Sequence, residues 1–225
     1  MFQEKVCVMV GATYGVGQLL AERFAAKGCC IAFMDADKKA GIWMKTLLQE
    51  EFDTEVFFFH GDSRSEEDLE IFAAAVVEMY GQIDYLIYNG TVQRKRTSFG
   101  REMVLDLSDA FQAGCVAPYI LDQSFRHYFE EGGVEIFTIP DQSWYGSRYS
   151  GACRLVRESI ESLTKFCAKQ YKGRVRVNCV SAGERGLDEL SLQELADTIC
   201  FLCEEKTDFL NGESIGALFR VKYCM

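Results

Sequence analysis

The sequence predicts a doubly wound α/β domain, a parallel sheet of about seven strands with helices on both faces. Three observations carry that expectation. Val6-Cys7-Val8-Met9-Val10 is an unbroken apolar run that breaks into Gly11-Ala12-Thr13-Tyr14-Gly15-Val16-Gly17 before an amphipathic stretch, which is a buried strand, a glycine turn and a helix. Apolar runs of strand length then alternate with helical patterns along the rest of the chain. The second run ends on an acid, Asp35, roughly 20 residues beyond the glycine turn.

The glycine turn comes first because it names a ligand class. Glycines there let the backbone approach a ligand that any Cβ would hold off. The helix that follows aims free N–H groups and its positive dipole end at the same point, which favours a pyrophosphate. Gly11, Thr13, Tyr14, Gly15, Val16 and Gly17 are therefore candidate cofactor-binding positions. The second strand, Cys29 to Met34, closes in Asp35-Ala36-Asp37. A carboxylate at that tip accepts hydrogen bonds from a ribose diol and repels a 2′-phosphate, so Asp35 favours NAD over NADP.

A helix around Lys39 to Gln49 leads to a third strand, Val56 to Phe59, closed by His60-Gly61-Asp62-Ser63. Asp62 and Ser63 fall at a strand's carboxyl end, where open parallel sheets bind ligands. Ser65 followed by Glu66-Glu67-Asp68 reads as an N-cap with an acidic first turn for a helix over 65–80. The fourth strand, Ile83 to Tyr88, stops at Asn89-Gly90, two more candidate nucleotide contacts. Right-handed crossovers bring all these termini to one sheet edge. The basic run Arg94-Lys95-Arg96 beyond it is expected to be a solvated loop.

Helices are expected over 103–111 and 114–129, with Gly132-Gly133 as the stop, then a fifth strand from Val134 to Ile139. The longest helical pattern runs from Tyr149 to Tyr171, and Val175 to Val180 is the sixth strand. A helix over 192–203 and a seventh strand over 212–219 close the chain.

The 225 residues suit one domain spanning 1–225, with only two prolines and no linker composition. A net charge of −10 argues against a nucleic-acid partner. No apolar stretch reaches the roughly 18 residues of a membrane span and no leader precedes the first strand, so a cytoplasmic location is expected. Most of the ten cysteines lie inside apolar patterns and are expected as small buried hydrophobes; Cys200-x-x-Cys203 has metal-like spacing without a second pair or a histidine nearby in sequence, and no metal is expected.

Taken together, these motifs resemble the short-chain dehydrogenase/reductase family. Gly11, Gly15 and Gly17 match its G-x-x-x-G-x-G turn, Asp62 its aspartate near the adenine, Asn89-Gly90 its N-N-A-G, and Arg176-Val177-Asn178 with Ser181-Ala182-Gly183 its R-V-N-x-x-x-P-G. The resemblance covers nearly the whole chain and implies a Rossmann-type fold, a nicotinamide cofactor and hydride transfer to or from a carbonyl or alcohol carbon. It also implies dimers or tetramers built through the helices at 103–131 and 149–172, or a mixed oligomer with a relative, and a small-molecule substrate that the sequence does not identify.

Tyr149 matches the family's catalytic tyrosine, and the rest of the tetrad departs. Cys153 stands where the lysine of Y-x-x-x-K belongs, Gly114 where the asparagine is expected, and Pro140 or Asp141 where the serine is expected, with Ser143 the nearest hydroxyl. Val10 replaces the usual threonine of the turn, and Ala182 the proline before Gly183. A tyrosine with a pKa near 10 is ionised in about one molecule in a thousand at neutral pH, and a cation one helical turn away would raise that fraction. Arg154 lies about 140° round the helix and Arg157 about 12 Å along it, so neither replaces the lysine. The stretch from Gly183 to Leu190 is also too short for a substrate lid. Two functions follow as expectations: an NAD(H)-dependent oxidoreductase with Tyr149 as proton donor or acceptor, or a non-catalytic dinucleotide-binding protein serving as a sensor or partner subunit.

Overall fold

A computed structural model describes residues 4–90, 104–139, 151–181 and 189–216, without the side chains of residues 104–106, 151–153 and 189–190. The sheet has seven strands: β1 (Val6–Val10), β2 (Cys30–Asp35), β3 (Val56–His60), β4 (Ile83–Tyr88), β5 (Phe129–Ile139), β6 (Val175–Ser181) and β7 (Ser214–Gly216). Their spatial order is β3-β2-β1-β4-β5-β6-β7, and every neighbouring pair is parallel. The helices are α1 (Gly15–Ala26), α2 (Lys38–Phe52), α3 (Glu66–Tyr80), α4 (Val104–Phe111), α5 (Ala117–Phe125), α6 (Gly151–Tyr171) and α7 (Glu189–Leu202). Strand order reverses between β1 and β4, which places the crevice of a doubly wound sheet at their carboxyl ends.

The apolar runs have the composition of strands covered on both faces. Along β1, Val6, Val8 and Val10 join the core beneath α3, α5 and α6, with Phe72, Leu121, Phe125 and Ile160. Cys7 and Met9 face the opposite core, with Leu20 and Phe24 of α1, Leu48 of α2 and Ile199 of α7. Among the described side chains, eight cysteines form no disulfide; Cys30 and Cys115 are half-buried and the others buried, as expected of small core residues. Among the described residues no helix is long and apolar enough to cross a membrane.

Two boundaries depart from the sequence pattern. The helix expected over 114–129 ends at Phe125, and β5 begins at Phe129. Tertiary pairing decides this: Tyr128 N–H closes on the Phe125 carbonyl at 2.8 Å, and Ile83 N–H then bonds the Tyr128 carbonyl at 2.8 Å, so the chain enters the sheet at once. Residues Gln112–Val116 form a turn of π-helix between α4 and α5, not an ordinary helical start.

The polar residues of β6 have structural tasks. Arg176, buried, donates to the Leu202 carbonyl at 2.8 Å and to the Thr207 hydroxyl at 3.1 Å, satisfying the carboxyl end of α7. Asn178 donates to the Leu210 carbonyl and accepts from Glu213 N–H, both at 3.0 Å, which seats the chain leading into β7.

Candidate functional site

The β1–α1 turn needs glycine at two points for different reasons. Gly11 has φ +78°, and a Cβ there would collide with the Asn89 carbonyl. A Cβ at Gly17 would run into the Gly11 carbonyl, so the first turn of α1 packs directly on the loop before it. Asn89 locks this arrangement. Its backbone N–H donates to the Val10 carbonyl at 2.9 Å, its Nδ2 donates to the Gly11 carbonyl at 2.9 Å, and its Oδ1 accepts from the Thr138 hydroxyl of β5 at 2.9 Å. One amide thus ties together the carboxyl ends of β1, β4 and β5.

The amino end of α1 carries no side-chain cap: Tyr14 occupies the N-cap in extended conformation and makes no capping bond. First-turn N–H groups of α1 are left for another acceptor, which suits a diphosphate. Thr13, which precedes the cap, turns to Asp35 instead. Its hydroxyl donates to Asp35 Oδ2 at 2.6 Å and its N–H to the same oxygen at 3.3 Å, while Asp37 N–H donates to Oδ1 at 3.0 Å. Asp35 is therefore held in place and partly exposed, with lone pairs to spare for a diol.

A second latch lies outside the first. Tyr14, 64% exposed, donates its hydroxyl to Asp37 Oδ2 at 3.0 Å, and Asp37 Oδ1 caps α2 through Lys39 N–H and Ala40 N–H, both at 3.0 Å. Donation from Ala40 N–H and then from the Tyr14 hydroxyl holds the Asp37 carboxyl below the usual carboxylate range. The same bond to Asp37 pushes the Tyr14 phenol up.

At the tip of β3, Asp62 is gripped by a residue two positions on. Arg64 donates Nη2 to Oδ2 at 2.6 Å, Nε to Oδ1 at 3.0 Å and its backbone N–H to Oδ1 at 2.9 Å. That guanidinium holds the Asp62 carboxyl below its ordinary range. Ser63 hydrogen-bonds the buried Tyr88 hydroxyl, which itself donates to the Ala113 carbonyl.

Between these tips lies a cavity of about 70 Å³ lined by Val10, Gly11, Met34, Asp35, Ala36, Gly61, Ser63 and Gly90. The structure thus brings Gly11, Asp35, Ser63 and Gly90 to one cleft, with Thr13, Tyr14, Val16, Gly17 and Asn89 in the turn that shapes it and Asp62 beside it. None of these lining residues, among those the structure describes, is basic. Tyr149, Pro140, Asp141, Ser143, the 94–96 basic run, Ala182 and Gly183 lie outside the described residues. Cys153 lies in the first turn of α6.

Gly114 sits in the π-helical turn, where a Cβ would overlap Val156 Cγ1 of α6. The α4–α5 connection and α6 therefore meet too closely there for an asparagine side chain to replace Gly114 without displacement.

The latch residues Asp37, Arg64 and Thr138 escaped the sequence reading. Arg64 had a local signal, since its spacing from Asp62 permits a turn-closing ion pair. Thr138 had none, because its partner lies 49 positions away.

A doubly wound parallel sheet with a glycine turn, an uncapped helix start and an acid at the second strand tip defines a dinucleotide-binding protein. The family model described as enoyl-(acyl carrier protein) reductase matches residues 11–184. An uncharacterized oxidoreductase of Thermotoga maritima is 25% identical over 81% of this chain and 72% of that protein. Among solved structures, L-sorbose reductase from Gluconobacter frateurii, complexed with NADPH and L-sorbose, superposes with a TM-score of 0.83 at 19% identity, covering 95% of both chains. NAD+-bound xylitol dehydrogenase superposes with a TM-score of 0.85 at 19% identity, covering 96% of this chain and 98% of that one. The chain belongs to the short-chain dehydrogenase/reductase family of oxidoreductases, whose cofactor is a nicotinamide dinucleotide. The glycine turn and the uncapped start of α1 fit that cofactor's diphosphate.

Proposed function

We propose that this protein binds NAD(H) and belongs to the oxidoreductases that exchange a hydride with a carbonyl or alcohol carbon. The observation that carries the cofactor preference is the fixed Asp35 carboxylate in the cleft wall. Thr13 and the Asp37 N–H orient it, and among the described residues no basic side chain lines the same cleft to receive a 2′-phosphate. In this reading the first-turn N–H groups of α1 take the diphosphate, Asp35 takes the adenosine ribose diol, and Asp62 with Ser63 borders the adenine. Asn89 and Gly90 border the crevice leading toward β5.

The cofactor, when bound, supplies or accepts the hydride. Tyr149 is the residue of this chain that would move the hydroxyl proton, as the resemblance implies. Cys153 at the lysine position brings no positive charge to depress the tyrosine pKa, so turnover is expected to be slow relative to members with a complete tetrad. The close contact between Gly114 and Val156 favours a second reading, a dinucleotide-binding protein without turnover, because it fills the space an asparagine would need. The small-molecule substrate stays unassigned, and a nucleic-acid partner is disfavoured by the charge of −10. Exposed Tyr119 on α5 and Leu155 and Phe166 on α6 support self-association through those helices.

The test is a fluorescence titration with NADH and NADPH, followed by a carbonyl panel with wild type, Tyr149→Phe and Cys153→Lys. NADH binding with turnover abolished by Tyr149→Phe supports the enzyme. Binding without turnover, unchanged in Cys153→Lys, supports the binding protein. If neither nucleotide binds at millimolar concentration, both readings are overturned.

A further inference from the structure

Away from the crevice, three acidic or thiol side chains from three elements meet inside the core beneath α5 and α6. Asp122 of α5, Glu135 of β5 and Cys167 of α6 are each fully buried, and their ligand atoms all lie within 4.8 Å of one another. Both Glu135 carboxylate oxygens and Asp122 Oδ1 have no hydrogen-bond partner, whereas Asp122 Oδ2 is taken by Arg126 Nη2 at 2.5 Å and Gln123 Nε2 at 2.7 Å. The Tyr171 hydroxyl, also buried, faces Asp122 in the same group.

We propose that Asp122, Glu135 and Cys167 form a buried structural site for a divalent cation of borderline softness, with Zn2+ as the fitting ion. The donor set is two carboxylates and a thiol, which suits zinc better than the harder Mg2+ or Ca2+. Each of the three residues offers one ligand atom, and the second unpartnered oxygen of Glu135 is available as a fourth donor. Charge closes as well. Two carboxylates and one thiolate carry three negative charges, against which Arg126 supplies one positive charge and the ion two. A proton shared by the carboxyls is the competing arrangement, since it also neutralises the pocket, and it predicts a chain indifferent to metal and chelator.

Binding has a proton signature. Without a cation, burial first and then the Asp122 charge push the Glu135 carboxyl well above its ordinary range, and burial with the Glu135 and Asp122 charges pushes the Cys167 thiol up. Arg126 and Tyr171 are the other titratable groups facing them. Carboxylate and thiolate ligands bind a metal only when deprotonated, so Zn2+ uptake competes with protons here.

The experiment loads the full chain with Zn2+ or Co2+, removes loose metal by dialysis, and measures metal content, the sulfur-to-cobalt charge-transfer absorption and the melting temperature with and without chelator. The expected result is one ion per chain, a thiolate–cobalt band that disappears in Cys167→Ser, a chelator-induced fall in melting temperature, and at least tenfold weaker uptake in Glu135→Gln. Glu135→Gln is close to isosteric, so it keeps the test open if Cys167→Ser fails to fold; if neither folds, the band and chelator response of the wild type decide. Metal uptake by wild type equal to that of Glu135→Gln, a cobalt band that persists in Cys167→Ser, or a melting temperature indifferent to Zn2+ and chelator would overturn the site.

Discussion

The Thr13 hydroxyl donates to Asp35 Oδ2 at 2.6 Å, joining the glycine turn to the tip of the second strand across 22 positions of sequence. This bond fixes the carboxylate that the proposed NAD preference depends on.

Asp35→Ala is therefore expected to weaken NADH binding more than NADPH binding. A hydrogen bond to a charged group contributes about 1.5–3 kcal/mol, so the NADH dissociation constant should rise roughly ten- to a hundredfold. Parallel fluorescence titrations read both constants. An equal loss for the two nucleotides would remove Asp35 from cofactor discrimination.

Asn89→Ala is expected to lower stability by about 1–3 kcal/mol, because it strips a donor from the Gly11 carbonyl and an acceptor from Thr138 in a partly buried setting. Denaturant unfolding of wild type, Asn89→Ala, Thr138→Val and the double variant measures the coupling. Strictly additive losses would show that the two bonds do not act as one clamp.

Gly114→Asn is expected to be destabilising on its own, since its side chain would enter the volume of Val156. Overpacking of this kind costs about 1–3 kcal/mol, and Val156→Ala in the same chain should return part of that loss. A melting temperature for Gly114→Asn equal to wild type would mean that the connection yields freely.

The Asp62–Arg64 pair predicts a pH response of definite sign. Because the guanidinium lowers the folded-state pKa of Asp62, the pair favours the fold above the ordinary carboxylate range, and that contribution fades as pH falls through the depressed value. Asp62 is 40% exposed on its side chain, so the effect is small, about 0–1 kcal/mol. NMR titration of the Asp62 carboxyl should show its midpoint move up in Arg64→Ala, and an unmoved midpoint would contradict the pairing.

Much of the fold was legible because local chemistry and periodicity pointed the same way. Ser65 caps α3 through Asp68 N–H at 3.2 Å, as its acidic successors implied, and β1, β4 and β6 start where their apolar runs start. The early entry of β5 at Phe129 was not legible, since it depends on the Ile83–Tyr128 pairing between distant segments. The cleft was legible in part. Glycines and Asp35 carry their meaning in spacing, whereas Arg64, Thr138 and the Gly114–Val156 contact acquire theirs only when strands and helices are brought together. Glu135 left a trace: an acid inside the apolar run from Val134 to Ile139 of a central strand is a signal for a buried partner, but Asp122 and Cys167 stand 13 and 32 positions away.

The bond from the Tyr14 phenol to Asp37 crosses from one loop to another in full view of solvent. The outer side of the glycine turn is thus tied to the start of the second helix by a contact that water can replace at little cost, while Asn89 anchors its base in the sheet. Losing the outer bond would therefore loosen the rim of the turn and leave the clamp beneath it intact.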